Sequence, residues 1–226
     1  MTTIFVTSSG TEIGKTYVSA LLVRQFRAKG LDARALKPIV SGLDKQSFAE
    51  SDPAVLLAAM GDDVVYERAS AVSRWRFRAP LSPDMAAARE GRDIPLDELV
   101  ETCVTAARAG NGPLVIEGVG GLMVPLDTRH TVLDWMVALN GQVPLIPILV
   151  VGSYLGTISH TLTALEVMRG HGLTPHGIVV SESVGSPVAL AETAETIARF
   201  SKGIPVETIA RGATALSAPD LTKLGC

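Results

Sequence analysis

The chain has 226 residues, a hydrophobic fraction of 47% and a formal net charge of −3. That length suits one large α/β unit better than two small ones, and the apolar fraction is enough for a substantial core. The charge balance offers no global attraction to nucleic acid or anionic lipid, and the 4% aromatic content argues against base stacking as a binding mode.

Short apolar runs alternate with helical stretches along the chain. This predicts an α/β fold, a doubly wound and mostly parallel sheet flanked by helices, in one domain spanning 1–226. The first strand is expected at Ile4–Thr7. Directly behind it stands Ser8-Ser9-Gly10-Thr11-Glu12-Ile13-Gly14-Lys15-Thr16. A strand, a tight glycine-bearing turn ending in Gly-Lys-Thr, and a helix opening near Lys15 make a phosphate-binding loop. The free N–H groups and positive dipole end of that helix suit a polyphosphate. Lys15 adds a mobile charge, and Thr16 offers a hydroxyl to magnesium. The general pattern has a glycine, four intervening residues and then Gly-Lys-Ser/Thr; here the position of that first glycine holds Ser9. The helix over Thr16–Lys29 places Val18, Leu21, Leu22 and Phe26 on one face, and Gly30 ends it.

A second strand, Ala33–Lys37, runs into Pro38-Ile39-Val40-Ser41-Gly42. Lys37 then sits where parallel strands present residues to ligands, either as a second phosphate-side cation or as an ordinary solvated lysine. Asp52 precedes Pro53 and a helix over Pro53–Met60; it reads as a helix cap or as a carboxylate for magnesium. Gly61–Pro83 shows no clear pattern, apart from alternating Arg74, Arg76 and Arg78 that suggest a solvated edge. Helices follow at Pro83–Arg89 and Leu96–Ala109, with Cys103 on the apolar face of the latter.

The strand Leu114–Glu117 leads from apolar residues straight to an acid and then a glycine-rich turn, Gly118-Val119-Gly120-Gly121. That is the layout of a metal-site strand: magnesium prefers hard oxygen ligands, and the glycines let backbone amides approach a ligand. A helix at Val132–Leu139 and a buried strand at Ile146–Val151 come next. The longest apolar run is interrupted by Pro144 and Pro147 and is too short to span a bilayer. Gly156 and Thr157 open a helix over Thr157–Arg169, as a plain helix start or a second anion site. The strand Gly177–Val180, a helix over Pro187–Phe200 and a weaker strand at Ile204–Thr208 complete the pattern. His130, His160, His171 and His176 lack the spacing of a zinc site. Cys103 and Cys226 make no disulfide framework, and with no signal peptide a cytoplasmic setting is expected.

These stretches together resemble the dethiobiotin synthetase family of P-loop NTPase type. The resemblance is carried by Thr-Glu-Ile-Gly-Lys-Thr (11–16), Lys-Pro-Ile-Val-Ser-Gly (37–42), Ser-Asp (51–52), Ala-Pro-Leu-Ser-Pro (79–83), Glu-Gly-Val-Gly-Gly (117–121), Asp-Trp (134–135) and Val-Gly-Ser-Tyr-Leu-Gly-Thr-Ile-Ser-His (151–160). It implies magnesium- and ATP-dependent conversion of 7,8-diaminononanoate and carbon dioxide to dethiobiotin. Lys37 is then the catalytic lysine, with Lys15 beside it. Thr16, Asp52 and Glu117 hold magnesium. Nucleotide contacts fall on Glu12, Ile13, Gly14, Lys15, Thr16 and Tyr17, on Asp52 and Glu117 through the metal, and on Gly118, Val119 and Gly120. Ser181 borders the base, joined by Pro205, Val206 and Glu207. Thr11 and Ser41 grip the diamine. The family is a homodimer, and the substrate's tail carboxylate meets Gly156 and Thr157 of the other chain.

Two positions depart from the family pattern. Its first loop glycine lies one residue earlier than in the general motif, at Ser8, where a serine fits only if the backbone avoids positive φ or tolerates a Cβ. The asparagine that often reads the adenine edge is replaced by Ser181. Two other readings compete. A partitioning-type ATPase switch would usually carry an extra lysine early in the loop, and none stands at Ser8, Ser9 or Gly10. A corrinoid amidotransferase ligase would carry a glutaminase domain, for which 226 residues leave little room.

Overall fold

The computed structural model describes residues 2–216. In chain order the elements are β1 (Thr3–Ser8), α1 (Lys15–Ala28), β2 (Arg34–Leu36), β3 (Ile39–Val40), α2 (Asp52–Met60), α3 (Ala69–Val72), β4 (Trp75–Arg76), α4 (Pro83–Arg89), α5 (Leu96–Arg108), β5 (Leu114–Glu117), α6 (Val132–Asn140), β6 (Leu145–Gly152), α7 (Thr157–Gly170), β7 (Gly177–Ser181), α8 (Leu190–Phe200) and β8 (Val206–Ile209). Six strands form one sheet in the order β2-β5-β1-β6-β7-β8, every pairing parallel. Cys226 lies outside the described residues.

The sheet is covered on both faces, which is why its strands are apolar throughout. Side chains alternate between faces along a strand. Ile4, Val6, Val115, Ile148 and Val150 pack with α1 and α2 on one side. Phe5, Ile116, Leu149, Val151 and Val180 pack with α5, α6, α7 and α8 on the other. β1 sits centrally between β5 and β6, where the strand order reverses. The loop after β1 therefore opens into the crevice at the carboxyl ends of the strands, the usual ligand position in such sheets.

The stretch that lacked a sequence pattern has a structural task. β3 and β4 form a small two-stranded parallel pair, with Ile39 opposite Trp75 and Val40 opposite Arg76. Trp75 N donates to Pro38 O at 2.8 Å, and Gly42 N donates to Ala79 O at 3.1 Å. Residues 75–79 thus hold the loop beyond Lys37 against 79–83. Gly42 has φ 74°, and a Cβ there would fall 3.1 Å from Pro80 Cβ, so the close approach requires glycine. The predicted helix from Pro187 begins only at Leu190. Ser186 Oγ lies 2.9 Å from Val188 O and accepts from Val188 N at 3.3 Å, closing a turn in place of a first helical turn.

Candidate active site

β1 delivers the chain to Ser8, and the loop turns back to open α1 at Lys15. Gly14 caps that helix with φ 95°; a Cβ there would stand 2.7 Å from Ser181 Oγ. Glu12 is one of two described non-glycine residues with positive φ, at 57°. Ser8 itself is not among them, so the serine meets the condition set for it.

The loop is braced from both neighbouring strands. Ser9 N donates to Val150 O at 3.2 Å, Gly118 N to Val6 O at 2.9 Å and Leu122 N to Ser8 O at 2.8 Å. A Cβ on Gly121 would come within 3.1 Å of Gly10 N. Behind the acid turn, a Cβ on Gly118 would meet Phe5 Cε1 at 3.1 Å, and Phe5 packs edge-on against buried Trp135 with centroids 4.7 Å apart.

Lys37 leaves the carboxyl end of β2 and is buried. Its ammonium bridges two acids, Glu117 Oε1 at 2.6 Å and Asp52 Oδ2 at 2.7 Å. Thr16 Oγ1 approaches the same two side chains, at 2.7 Å from Glu117 Oε1 and 2.8 Å from Asp52 Oδ1. Asp52 is not the helix cap. Ser51 takes that place, its Oγ accepting from Ala54 N at 3.4 Å, which frees Asp52 to face Lys37.

The charges follow from this packing. Burial works against the Lys37 ammonium, but Glu117 and Asp52 together outweigh it and hold its pKa above the ordinary value. Burial alone would raise the Asp52 pKa, yet Lys37 and the Thr16 hydroxyl hold it below the usual carboxylate range. Lys15 is lowered to about 8, first by burial and then by the neighbouring Lys37 charge, against the pull of Glu117 and Asp52.

The donor set fits a hard divalent cation. Its members are oxygens: one hydroxyl and two carboxylates. The Thr16 hydroxyl has a single proton, which cannot serve both carboxylates at once. Glu117 Oε2 is buried and has no hydrogen-bond partner. A cation such as magnesium would relieve both conditions while keeping waters or phosphate oxygens in its remaining positions. Among the described residues no group of three or more His, Cys, Asp or Glu forms a metal cluster. An all-protein cage is therefore not what this donor set offers.

A cleft of about 740 Å³ joins these groups. Thr11, Glu12, Ile13, Gly14, Lys15 and Thr16 line it from the loop, with Lys37, Ser41 and Asp52 from the second crossover and Glu117, Val119 and Gly120 from the acid turn. Gly118 lies behind this surface, against Phe5. Six lining positions beyond the predicted site residues are Val40, Pro80, Leu81, Ser82, Pro83 and Val124. A neighbouring cleft of about 410 Å³ is bordered by Gly14, Tyr17 and Ser181.

Two sets of predicted residues stand elsewhere. Pro205, Val206 and Glu207 lie at the start of β8, the wrong end of a parallel strand for this crevice; past its other end, Ala210, Arg211 and Gly212 line the smaller cleft, with Glu182 facing them. Glu182 Oε2 accepts from Arg211 N at 2.9 Å. Gly156 and Thr157 are at the N-terminus of α7 and do not line the cleft of their own chain. Thr157 Oγ1 donates to Gly152 O at 2.7 Å, and Leu155 beside it is 84% exposed.

A family model described as an AAA domain matches residues 2–211. The ATP-dependent dethiobiotin synthetase BioD of Methylobacterium nodulans is 50% identical over 218 residues, covering 94% of each chain. The protein of the same name from Acidiphilium cryptum is 48% identical over 206 residues, covering 91% of each. The chain belongs to the dethiobiotin synthetase family. The solved structures it resembles share the fold alone. Chloroplast FtsY of Physcomitrella patens has a TM-score of 0.57 at 16% identity, over 99% of this chain and 63% of that one. The MinC:MinD complex of Aquifex aeolicus gives 0.55 at 14%, over 99% and 84%. Both are remote in sequence, and the competing switch-type reading has no counterpart among the similar sequences named here.

As a dethiobiotin synthetase family member the chain is an ATP-dependent enzyme, and the dethiobiotin synthetase motifs at 11–16, 37–42, 79–83 and 117–121 converge on one cleft. Asp-Trp (134–135) acts from behind it. Asp134 closes the capping box of α6 with Thr131, and Trp135 supports Phe5 under the acid turn. Cys103 packs in the core, its thiol pushed up to about 12 by burial.

Proposed function

We propose that this protein, acting as one ATP-binding unit over 1–226, makes dethiobiotin from 7,8-diaminononanoate, carbon dioxide and ATP. Carbon dioxide adds to one amine of the diamine, which loses a proton to give a carbamate. A carbamate oxygen attacks the γ-phosphorus of ATP, the bond to ADP breaks, and a carbamic-phosphoric anhydride results. The second amine attacks the carbamate carbon, closes the ureido ring and expels phosphate.

The observation that carries this reading is the convergence of two lysines, one hydroxyl and two acids on a single cleft. Phosphoryl transfer between anions depends on positioned positive charge more than on an acid or base. Lys15 meets the outer phosphates, and Lys37 meets the carbamate. Thr16, Asp52 and Glu117 hold magnesium, which neutralises phosphate charge when bound. Thr11 and Ser41 orient the diamine, and Val119 and Gly120 offer backbone beside it. The base rests near Tyr17 and Ser181, with Arg211 and Glu182 across from them.

The protein works as a homodimer in this reading, with the substrate tail reaching Gly156 and Thr157 of the second chain. Their position outside their own cleft and the exposed Leu155 beside them support it. A cytoplasmic enzyme without nucleic-acid or membrane partners fits the substrates. No helix among the described residues is long and apolar enough to cross a membrane. The test is incubation with ATP, magnesium, bicarbonate and 7,8-diaminononanoate. Dethiobiotin and phosphate are expected in equal amounts by mass spectrometry and phosphate assay; ATP hydrolysis indifferent to the diamine would refute the assignment.

A further inference from the structure

Ser8 stands where the family pattern has a glycine, and its side chain is not idle. It is fully buried. Its Oγ lies 2.6 Å from Gly10 O and 2.9 Å from Gly120 O, and it accepts from Lys15 Nζ at 3.1 Å. Its backbone carbonyl is pinned by Leu122 N at 2.8 Å. The hydroxyl therefore cannot drift, and it ties the phosphate loop, the acid turn and the loop lysine together.

We infer that Ser8 is a positioning residue for the outer phosphates of the nucleotide, holding the Lys15 ammonium in place through its hydroxyl. An ammonium has three donors. Ser8 Oγ and Gly10 O (3.4 Å) take two, and one remains on a side chain that lines the cleft. A glycine at this position would leave Lys15 with the longer contact alone. A lysine already fixed loses less rotamer freedom when a phosphate arrives, so the hydroxyl contributes by preorganisation. The inference rests on the reading that Lys15 meets the outer phosphates.

The experiment is calorimetric titration of the full-length chain with ATP, ADP and AMP, using Ser8→Ala, Ser8→Gly, Ser8→Thr, Lys15→Met and the Ser8→Ala/Lys15→Met double variant. Ser8→Ala and Ser8→Gly are expected to weaken ATP and ADP about tenfold, as loss of a hydrogen bond to a charged group predicts. AMP, which lacks outer phosphates, should be unaffected. Ser8→Thr restores the hydroxyl and the affinity. In the Lys15→Met background Ser8→Ala should add no further loss. Thermal melts identify variants that fail to fold, and Ser8→Gly, which carries the family's own residue, keeps the test open if Ser8→Ala is one. Wild-type ATP affinity in both truncations, equal weakening of AMP, or a penalty that persists without Lys15 overturns the role of Ser8. If Lys15→Met binds ATP like the wild type, the reading of Lys15 fails and takes this inference with it. A large Lys15→Met effect with silent Ser8 variants sinks Ser8 alone.

Discussion

Lys37 Nζ and Glu117 Oε1 lie 2.6 Å apart, with Lys37 only 5% exposed and Glu117 wholly removed from water. Asp52 Oδ2 contacts the same ammonium from a half-exposed position. The buried pair is complete only while both partners are present, because either charge alone would be stranded in a poorly solvated place.

Lys37→Gln should therefore act twice. Removing one member of a buried pair typically costs about 3–5 kcal/mol. Chemical denaturation should show a loss of that order, and added magnesium should recover part of it by compensating Glu117. Product formation should vanish while ATP still binds in the presence of magnesium. Retained turnover would remove Lys37 from the chemistry.

Glu117→Ala deletes the carboxylate whose Oε2 has no partner and whose Oε1 meets Thr16 and Lys37. Turnover should be lost, and the gain in ATP affinity on adding magnesium should shrink. Calorimetric titration of ATP with and without magnesium measures this. An undiminished magnesium effect would place the ion elsewhere.

Lys15 supplies a pH dependence. With its pKa lowered to about 8 by burial and by Lys37, the ammonium is intact below that value and titrates away above it. The charged form is the one that attracts phosphate. ATP affinity should thus be level on the acid side of about 8 and fall about tenfold per pH unit well above it. Lys15→Met should bind weakly and lack this basic limb. A limb unchanged in that variant would assign the titration to another group.

Gly14→Ala meets two obstacles, a φ of 95° and a Cβ 2.7 Å from Ser181 Oγ. The left-handed conformation alone costs a non-glycine residue about 1–2 kcal/mol. Adding Ser181→Gly should relieve the collision but not the backbone cost, so the double variant recovers only part of the lost stability in denaturant melts. Complete recovery would show that the backbone there relaxes freely.

Much of this architecture was readable from local pattern. The central strands are continuous apolar runs, and each one that ends in a polar residue presents it to the crevice. That rule points to Glu117 and places Lys37 at the crevice, while leaving open whether Lys37 is solvated or faces a ligand. β3 and β4 follow no such rule: each has two residues and pairs only with the other, so neither has a run long enough to carry a period. Asp52 was ambiguous because Ser51 and Asp52 are both good capping residues before a proline, and only the side-chain directions separate them. Arg211, which lines the smaller cleft, escapes the pattern because the last strand begins and ends later than its apolar residues suggest. Tracing it to its carboxyl end would have pointed past Ile209 instead of to Pro205.

The near-contact of Gly10 with Gly121 has a wider meaning. The loop bearing the lysine and the turn bearing the acid meet main chain to main chain at Gly10 and Gly121, and the Ser8 hydroxyl joins them again through Gly10 O and Gly120 O. Their separation is consequently a property of the scaffold. In the proposed reading, a substitution at Ser181, on the neighbouring cleft, would alter the base contact without moving these two loops apart. A bulky residue at Gly121, whose Cβ would stand 3.1 Å from Gly10 N, would press the two loops apart.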